Sequence, residues 1–257
     1  MNECKLFSRA VRRTLMSMAL VMIAAQMLIV EGEAGTAPAK SGTTVDQGEF
    51  GIFQNGRRVA TENFTIQQLA ESSVTTSELR EGAGGPGSKA EQTSELTLAP
   101  NGSLSRYEWK QKFPVQNSAT IEPKDQFLNM HSVVDGKVND LPIFLTSNAV
   151  ILDDYFFSNR EILLWRYLAT SCKPHAADSG CDLVRARFPA FIPHRHISVE
   201  VYVEFKGYDD IPLNGQPQHL RHFLIQVEGQ DWHLWLDANH KLLRISVPDA
   251  NTEILRQ

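Results

Sequence analysis

From about residue 47 onward, apolar and polar positions alternate along the chain, and turn residues interrupt the alternation at short intervals. Val199, Val201, Val203 and Phe205 stand against Glu200, Tyr202, Glu204 and Lys206. Likewise Tyr107, Trp109 and Phe113 share one parity, while Arg106, Glu108, Lys110 and Lys112 take the other. A period of two predicts strands with one apolar and one wet face. Asn55-Gly56 separates the strand-prone runs 47–54 and 57–67. Both residues accept a positive φ, which is the requirement of a two-residue type I′ hairpin. The same arrangement is predicted at Asn101-Gly102, between 94–99 and 103–113, and at Asp135-Gly136, between 127–134 and 137–138. Runs at 197–206, 220–228, 232–237 and 242–247 follow, the last three joined by tight connections at Gly229–Asp231 and Ala238–Lys241.

One segment has a different rhythm. Ser158 and Glu161 are spaced as a capping box, and Phe157 and Ile162 as a hydrophobic staple. Leu163, Leu164, Trp165, Tyr167 and Leu168 then make a helix apolar on most sides, which ends before Cys172 and Pro174. Such a helix has to be covered. The predicted fold class is therefore mainly β: a single curved antiparallel sheet or half-barrel, a meander of hairpins wrapped on one helix at about 158–170. Residues 47–257 form a single β-rich domain.

The chain opens differently again. Lys5, Arg9, Arg12 and Arg13 precede an apolar run from Leu15 to Val30, and Gly32-Glu33-Ala34 offers small residues around a cleavage point. This is the layout of a signal peptide over 1–34, cleaved near Ala34, with Ala39 as a second site. The run of sixteen residues is shorter than the roughly 20 a membrane-crossing helix needs. Small and polar residues at 35–46 read as a flexible lead. The expected location is periplasmic or secreted.

Composition fits this picture. Hydrophobic residues make up 42%, enough for a core. Loss of four basic and three acidic side chains with residues 1–34 moves the formal charge from −5 to −6. An acidic chain without a basic stripe is not expected to bind nucleic acid. Cys4 departs with the leader, leaving Cys172 and Cys181, which an oxidising compartment should pair as a disulfide. Closing so short a loop contributes about 2–3 kcal/mol in the chain-entropy model. A metal at this pair is disfavoured, since only His175 is at hand as a further ligand. Gly82–Lys89 resembles a phosphate loop in its glycine spacing, but Ser88-Lys89 inverts the required order, so it reads as a linker.

Candidate chemistry is sparse. His194, His196 and Glu200 share parity at a strand start, a two-histidine, one-carboxylate set that suits zinc or iron. The competing reading is a surface or loop role. His219 and His222 fall on opposite faces of a strand, and neither a His-Glu-x-x-His nor a Gly-x-Ser-x-Gly motif is present. Asp153-Asp154 offers paired carboxylates as a site, but its place just ahead of the helix favours a turn. Tyr202, Trp235 and Trp165 are candidates to line a ligand cavity, against the competing reading that both faces of their strand are simply covered. No cofactor is expected.

Two segments carry a family resemblance. Gly48-Glu49-Phe50-Gly51-Ile52-Phe53-Gln54-Asn55-Gly56-Arg57-Arg58-Val59-Ala60-Thr61-Glu62 resembles the opening hairpin of uncharacterised bacterial periplasmic proteins. Trp235-Leu236-Asp237, Lys241-Leu242-Leu243-Arg244-Ile245 and Pro248 are similar to their closing strands. Ala60 stands where these proteins usually have Gly, and the cysteine loop is similar to an insertion. The resemblance implies a half-barrel like that of periplasmic lipoprotein carriers, with a hydrophobic cavity. The expected function is that of an exported, non-enzymatic envelope protein binding a lipid or acyl chain, or an envelope partner. The alternatives are a metal-dependent or other hydrolase with its site near His194 and His196, and a purely structural envelope module. An interior filled by its own side chains would count against a ligand between sheet and helix.

Overall fold

The computed structural model describes residues 42–82, 91–171, 184–213 and 215–257. They form one curved, open, fifteen-stranded sheet around the single α-helix of the described residues. The first half comprises β1 (Thr43–Gln54), β2 (Arg57–Gln68), β3 (Ser73–Glu81), β4 (Glu91–Leu98) and β5 (Leu104–Phe113). It continues through β6 (Asn117–Lys124), β7 (Phe127–Val134) and β8 (Lys137–Ile143). Then come the short β9 (Val150–Ile151), helix α1 (Ser158–Thr170), β10 (Ala186–Ile192) and β11 (Ile197–Leu213). The second half closes with β12 (Gln216–Val227), β13 (Gln230–Leu236), β14 (Leu242–Val247) and β15 (Thr252–Arg256).

Strand order runs β8 to β1, crosses to β15, and runs back through β14 to β9. Every neighbouring pair is antiparallel except β9 and β10. The predicted fold class holds: a curved antiparallel sheet on one helix, open rather than closed into a barrel. The signal segment, the start of the flexible lead, most of the glycine-rich loop and the Cys172–Cys181 pair lie outside the described residues.

Local chemistry explains most of the turns. Asn55-Gly56, Asp135-Gly136 and Glu228-Gly229 all have positive φ at both positions, as a type I′ turn demands. Asn101-Gly102 does not follow this pattern, because only Gly102 is left-handed. Pro100 fixes its own φ negative, so the chain takes a wider loop in which Gly102 N donates to Ala99 O and Ala99 N to Ser103 O. β1 starts at Thr43 rather than at Gln47, so the lead is shorter than predicted. β3 and β6 escaped the pattern because their inward positions include Thr75, Ser77 and Ala119. β10 escaped it because of Pro189, which the sheet tolerates since β9 covers only Ala190 and Phe191. Phe113, predicted to face inward with Tyr107 and Trp109, is 57% exposed; a register shift at the start of β4 ends the alternation there.

The core lies between the inward face and the helix. Phe156, Leu163, Leu164 and Tyr167 pack with Phe223, Val203 and Ile245, and all are fully buried or nearly so. Side chains therefore fill the space along the helix where a ligand cavity was expected.

The helix is not entered as predicted. Ser158 and Glu161 form no capping box, and the cap position is Phe157, with no side-chain bond of its own. Glu62 of β2 does the capping from across the core: Oε2 accepts from Phe157 N at 2.7 Å and Oε1 from Ser158 N at 3.3 Å. Ser158 Oγ instead meets Ser77 Oγ at 2.8 Å, and Ser77 Oγ donates to Glu62.

Glu161 turns to the opposite wall, where its Oε1 accepts from Leu242 N at 3.1 Å. Its Oε2 is buried with no hydrogen-bond partner among the described residues. Burial and the adjacent Asp46 carboxylate push Glu161 well above the usual carboxylate range. A folded value above the unfolded one means the stabilising protonated form is lost as pH rises through that folded value. Glu161→Gln should therefore raise stability at pH 8, by on the order of 1 kcal/mol, and change it little near pH 5. Urea unfolding at both pH values measures this, and a variant less stable than the parent at pH 8 would refute it.

Candidate binding site at the open rim

Among the described residues, the antiparallel register gathers seven connections at one end of the sheet. These are the turns at 55–56, 114–116, 135–136, 228–229, 193–196 and 248–251, together with residues 152–157 leading into α1. Val59, Phe113, Val115, Val134, Val138 and Tyr155 are exposed there, six of the eleven large apolar side chains exposed among the described residues. The other five, Val45, Phe127, Phe144, Val184 and Tyr208, lie towards the opposite end, so exposed apolar residues by themselves do not single out this rim.

Two clefts open on the rim. One, of about 380 Å³, has mainly apolar walls: Ile52, Val59, Ala60, Leu79, Tyr155 and Phe157. The other, of about 510 Å³, is lined by Leu152, Ile192, Trp232, Arg160, Arg195 and Glu228. Asp154 lines both. A larger hollow of about 710 Å³ lies elsewhere, lined mainly by outward side chains of β2 to β5 such as Asn63, Thr65, Thr76 and Thr93. Its walls are mixed, and the one acid–base contact among its lining residues is the Glu108–Lys110 ion pair at 2.7 Å.

The strip between the rim clefts is held by a buried polar network. Tyr107 donates its hydroxyl to Asp153 Oδ2 at 2.6 Å, and Asp153 Oδ1 accepts from Tyr155 N at 2.9 Å. His194 Nδ1 lies 2.9 Å from the same Oδ2, and its Nε2 lies 3.2 Å from Gln92 Oε1. Trp109 stacks on the imidazole at 4.4 Å, and Tyr155 meets it edge-on at 4.5 Å. Burial and the Asp153 charge push the Tyr107 hydroxyl well above its ordinary value. A histidine oriented by an aspartate is two members of a hydrolytic triad, but the position at Nε2 where a nucleophilic hydroxyl would stand is held by the amide of Gln92. The pair works as a brace, tying the 193–195 turn to the helix entry.

Arg160, from the first turn of α1, faces the same strip. Its Nη1 donates to the carbonyls of Asp153 at 2.8 Å and Phe156 at 3.3 Å. The guanidinium lies 4.3 Å from the centre of the Trp232 ring and 5.0 Å from that of Phe157. Burial lowers it to about 10, which still leaves it charged at neutral pH. Arg195 is engaged by Asp154 at 3.0 Å and by Glu228.

The residues singled out from sequence do not share one site. Tyr202 faces outward on β11, bonded to Glu200 and covered by Arg185 at 4.2 Å. Trp235 is buried on the outer face of β13 with Ile211 and Leu220, donates to Asp209 at 3.0 Å and stacks on His222. That is the covered-face alternative weighed above. Trp165 donates to His240 O at 2.7 Å and packs against the main core. No described cleft is shared by these three.

His194 turns inward to Asp153, whereas His196 is exposed in a left-handed conformation and Glu200 pairs with Arg187. The irregular turn at Pro193 breaks the parity that would have aligned the three. Among the described residues no group of His, Cys, Asp and Glu side chains is arranged to hold a metal ion. Even the outer-face chain of Asp209, His222 and His233 fails in this respect, since Asp209 and His233 sit at opposite nitrogens of His222.

Arg160 and Trp232 were not anticipated as site residues, and Asp153 was favoured only as a turn. Asp153 does form the predicted turn, through its bond to Tyr155 N, and reaches Tyr107 and His194 as well. Against known protein families, curated proteins and solved structures, the chain finds no match.

Proposed function

We propose that this is an exported, non-enzymatic binding protein of the cell envelope that holds the acyl part of an amphiphile at the open rim of its sheet. The observation that carries this reading is the mainly apolar-walled cleft beside Tyr155 and Phe157, into which the partly exposed Val59 and Tyr155 open. The ligand sits at the rim because the interior is taken by the helix and its neighbours. A leader of signal-peptide layout supports export. A hydrolase reading has the His194–Asp153 contact in its favour, and the amide of Gln92 against it.

Val59 tests the reading because it lines the cleft yet is partly exposed, so that changing it spares the core. An apolar fluorescent probe such as N-phenyl-1-naphthylamine should bind the protein saturably. A carboxylate in the wall, Val59→Asp, should weaken binding about tenfold, equivalent to about 1.4 kcal/mol. Absence of saturable binding to the parent protein would overturn the proposal, as would ester hydrolysis that disappears in His194→Ala.

A further inference from the structure

We infer that the amphiphile carries a single carboxylate, recognised by Arg160 against the face of Trp232; this rests on the acyl-binding reading above. Arg160 is 5% exposed and lines the second rim cleft. A guanidinium has five N–H donors. In Arg160 only Nη1 is used, on two backbone carbonyls. Nε and Nη2 make no hydrogen bond among the described residues, which leaves both free to meet an acceptor that enters the cleft.

The nearby carboxylates are committed elsewhere. Asp153 accepts from Tyr107 and Tyr155 and contacts His194; Asp154 holds Arg195; Glu62 caps the helix. Trp232 fixes the plane of the guanidinium at 4.3 Å. Its unused donors are thereby preorganised for the planar, two-pronged acceptor that a carboxylate is.

Position links this donor set to the acyl cleft. Phe157, which Arg160 covers, is a wall of the apolar cleft, and Asp154 lines both hollows. A chain in the first cleft thus brings its head to the second across one residue. The charge of that head is limited as well. Of the two cations lining the cleft, Arg195 is paired with both Asp154 and Glu228, so Arg160 is left to meet one negative charge, which suits a single carboxylate.

Calorimetric titration of the exported protein at pH 7 and low salt, with sodium dodecanoate and with dodecan-1-ol, decides the matter. Dodecanoate should bind at least tenfold more tightly, and added salt should weaken it while leaving the alcohol unchanged. Arg160→Met should abolish the preference, and Arg160→Lys, a point charge without the fork, should keep only part of it. Because Arg160 also braces the helix entry, the comparison of the two ligands on the parent protein is sufficient even where a variant does not fold. Equal affinities for acid and alcohol would overturn the carboxylate assignment and leave the acyl reading intact. Binding of neither would overturn both.

Discussion

Replacing Asp46 by alanine is expected to lower stability by about 3–5 kcal/mol, the cost of leaving a buried cation without its counter-charge. The Asp46 side chain is 1% exposed and receives both Arg256 nitrogens, Nη1 at 2.8 Å and Nη2 at 2.7 Å, with Lys241 at 2.8 Å. Arg256 is itself largely buried, donates to Gln47 O at 2.7 Å and has only the more distant Glu161 carboxylate, at 3.9 Å, as a second counter-charge when Asp46 is lost. Lys241 is far more exposed and contributes little by comparison. Burial by itself would raise the Asp46 carboxyl, but hydrogen bonds from Arg256 and Lys241 outweigh it and hold the group below the usual 3.8. A depressed folded value means that the stabilisation is complete above the unfolded value and is lost as pH falls through the folded one. The variant should therefore show a smaller loss of stability below about pH 4 than the parent, besides its deficit at pH 7. Urea unfolding across that range tests both parts; a deficit under about 1 kcal/mol at pH 7 would remove the clamp from the account.

Glu62→Ala should be nearly as damaging, at about 3 kcal/mol or more. The substitution removes the acceptor of two helix-entry amides, Phe157 N and Ser158 N, and of the Ser77 hydroxyl, all within the core. Burial raises Glu62 above the ordinary carboxylate range, and the bonds from Ser158, Ser77 and the two amides work against that rise. The negative end of the side chain also faces the positive end of the helix dipole. Hydrogen exchange distinguishes this role from simple packing. The amides of Phe157 and Ser158 should lose protection in the variant before the distant β6–β7 ladder does. Unchanged exchange at those two amides would show that something else caps the helix.

What could be read from the sequence divides along physical lines. Strand pairs joined by Asn55-Gly56 and Asp135-Gly136 were legible because the turn residues and the alternation beside them are contiguous. The helix was legible for the same reason, whereas its cap was not. Ser158 and Glu161 have a capping-box spacing, but the core offered Ser158 the Ser77 hydroxyl and drew Glu161 to Leu242. Glu62 lies 95 positions before Phe157. In the sequence it is only a charge interrupting an apolar face. The rim site is harder still to see. Arg160 looks like any polar residue of a first helical turn, and Trp232 like a core residue in step with Leu234 and Leu236. Only the register of the sheet, which brings the turn at 228–229 beside the helix entry, makes them neighbours.

The join between β1 and β15 has a consequence for assembly. In every other ladder the partners are consecutive strands, most of them closed by short hairpins whose contacts form early. The Asp46–Arg256 bond instead bridges 210 positions. Each meander can organise by itself, but neither can complete the wall around the helix until this seam is zipped. The clamp thus belongs to the contacts of greatest sequence separation, the kind that topology makes slowest to form. It sits, beside the β1–β15 ladder, at the closure that spans the longest loop and therefore has the largest loop-closure cost.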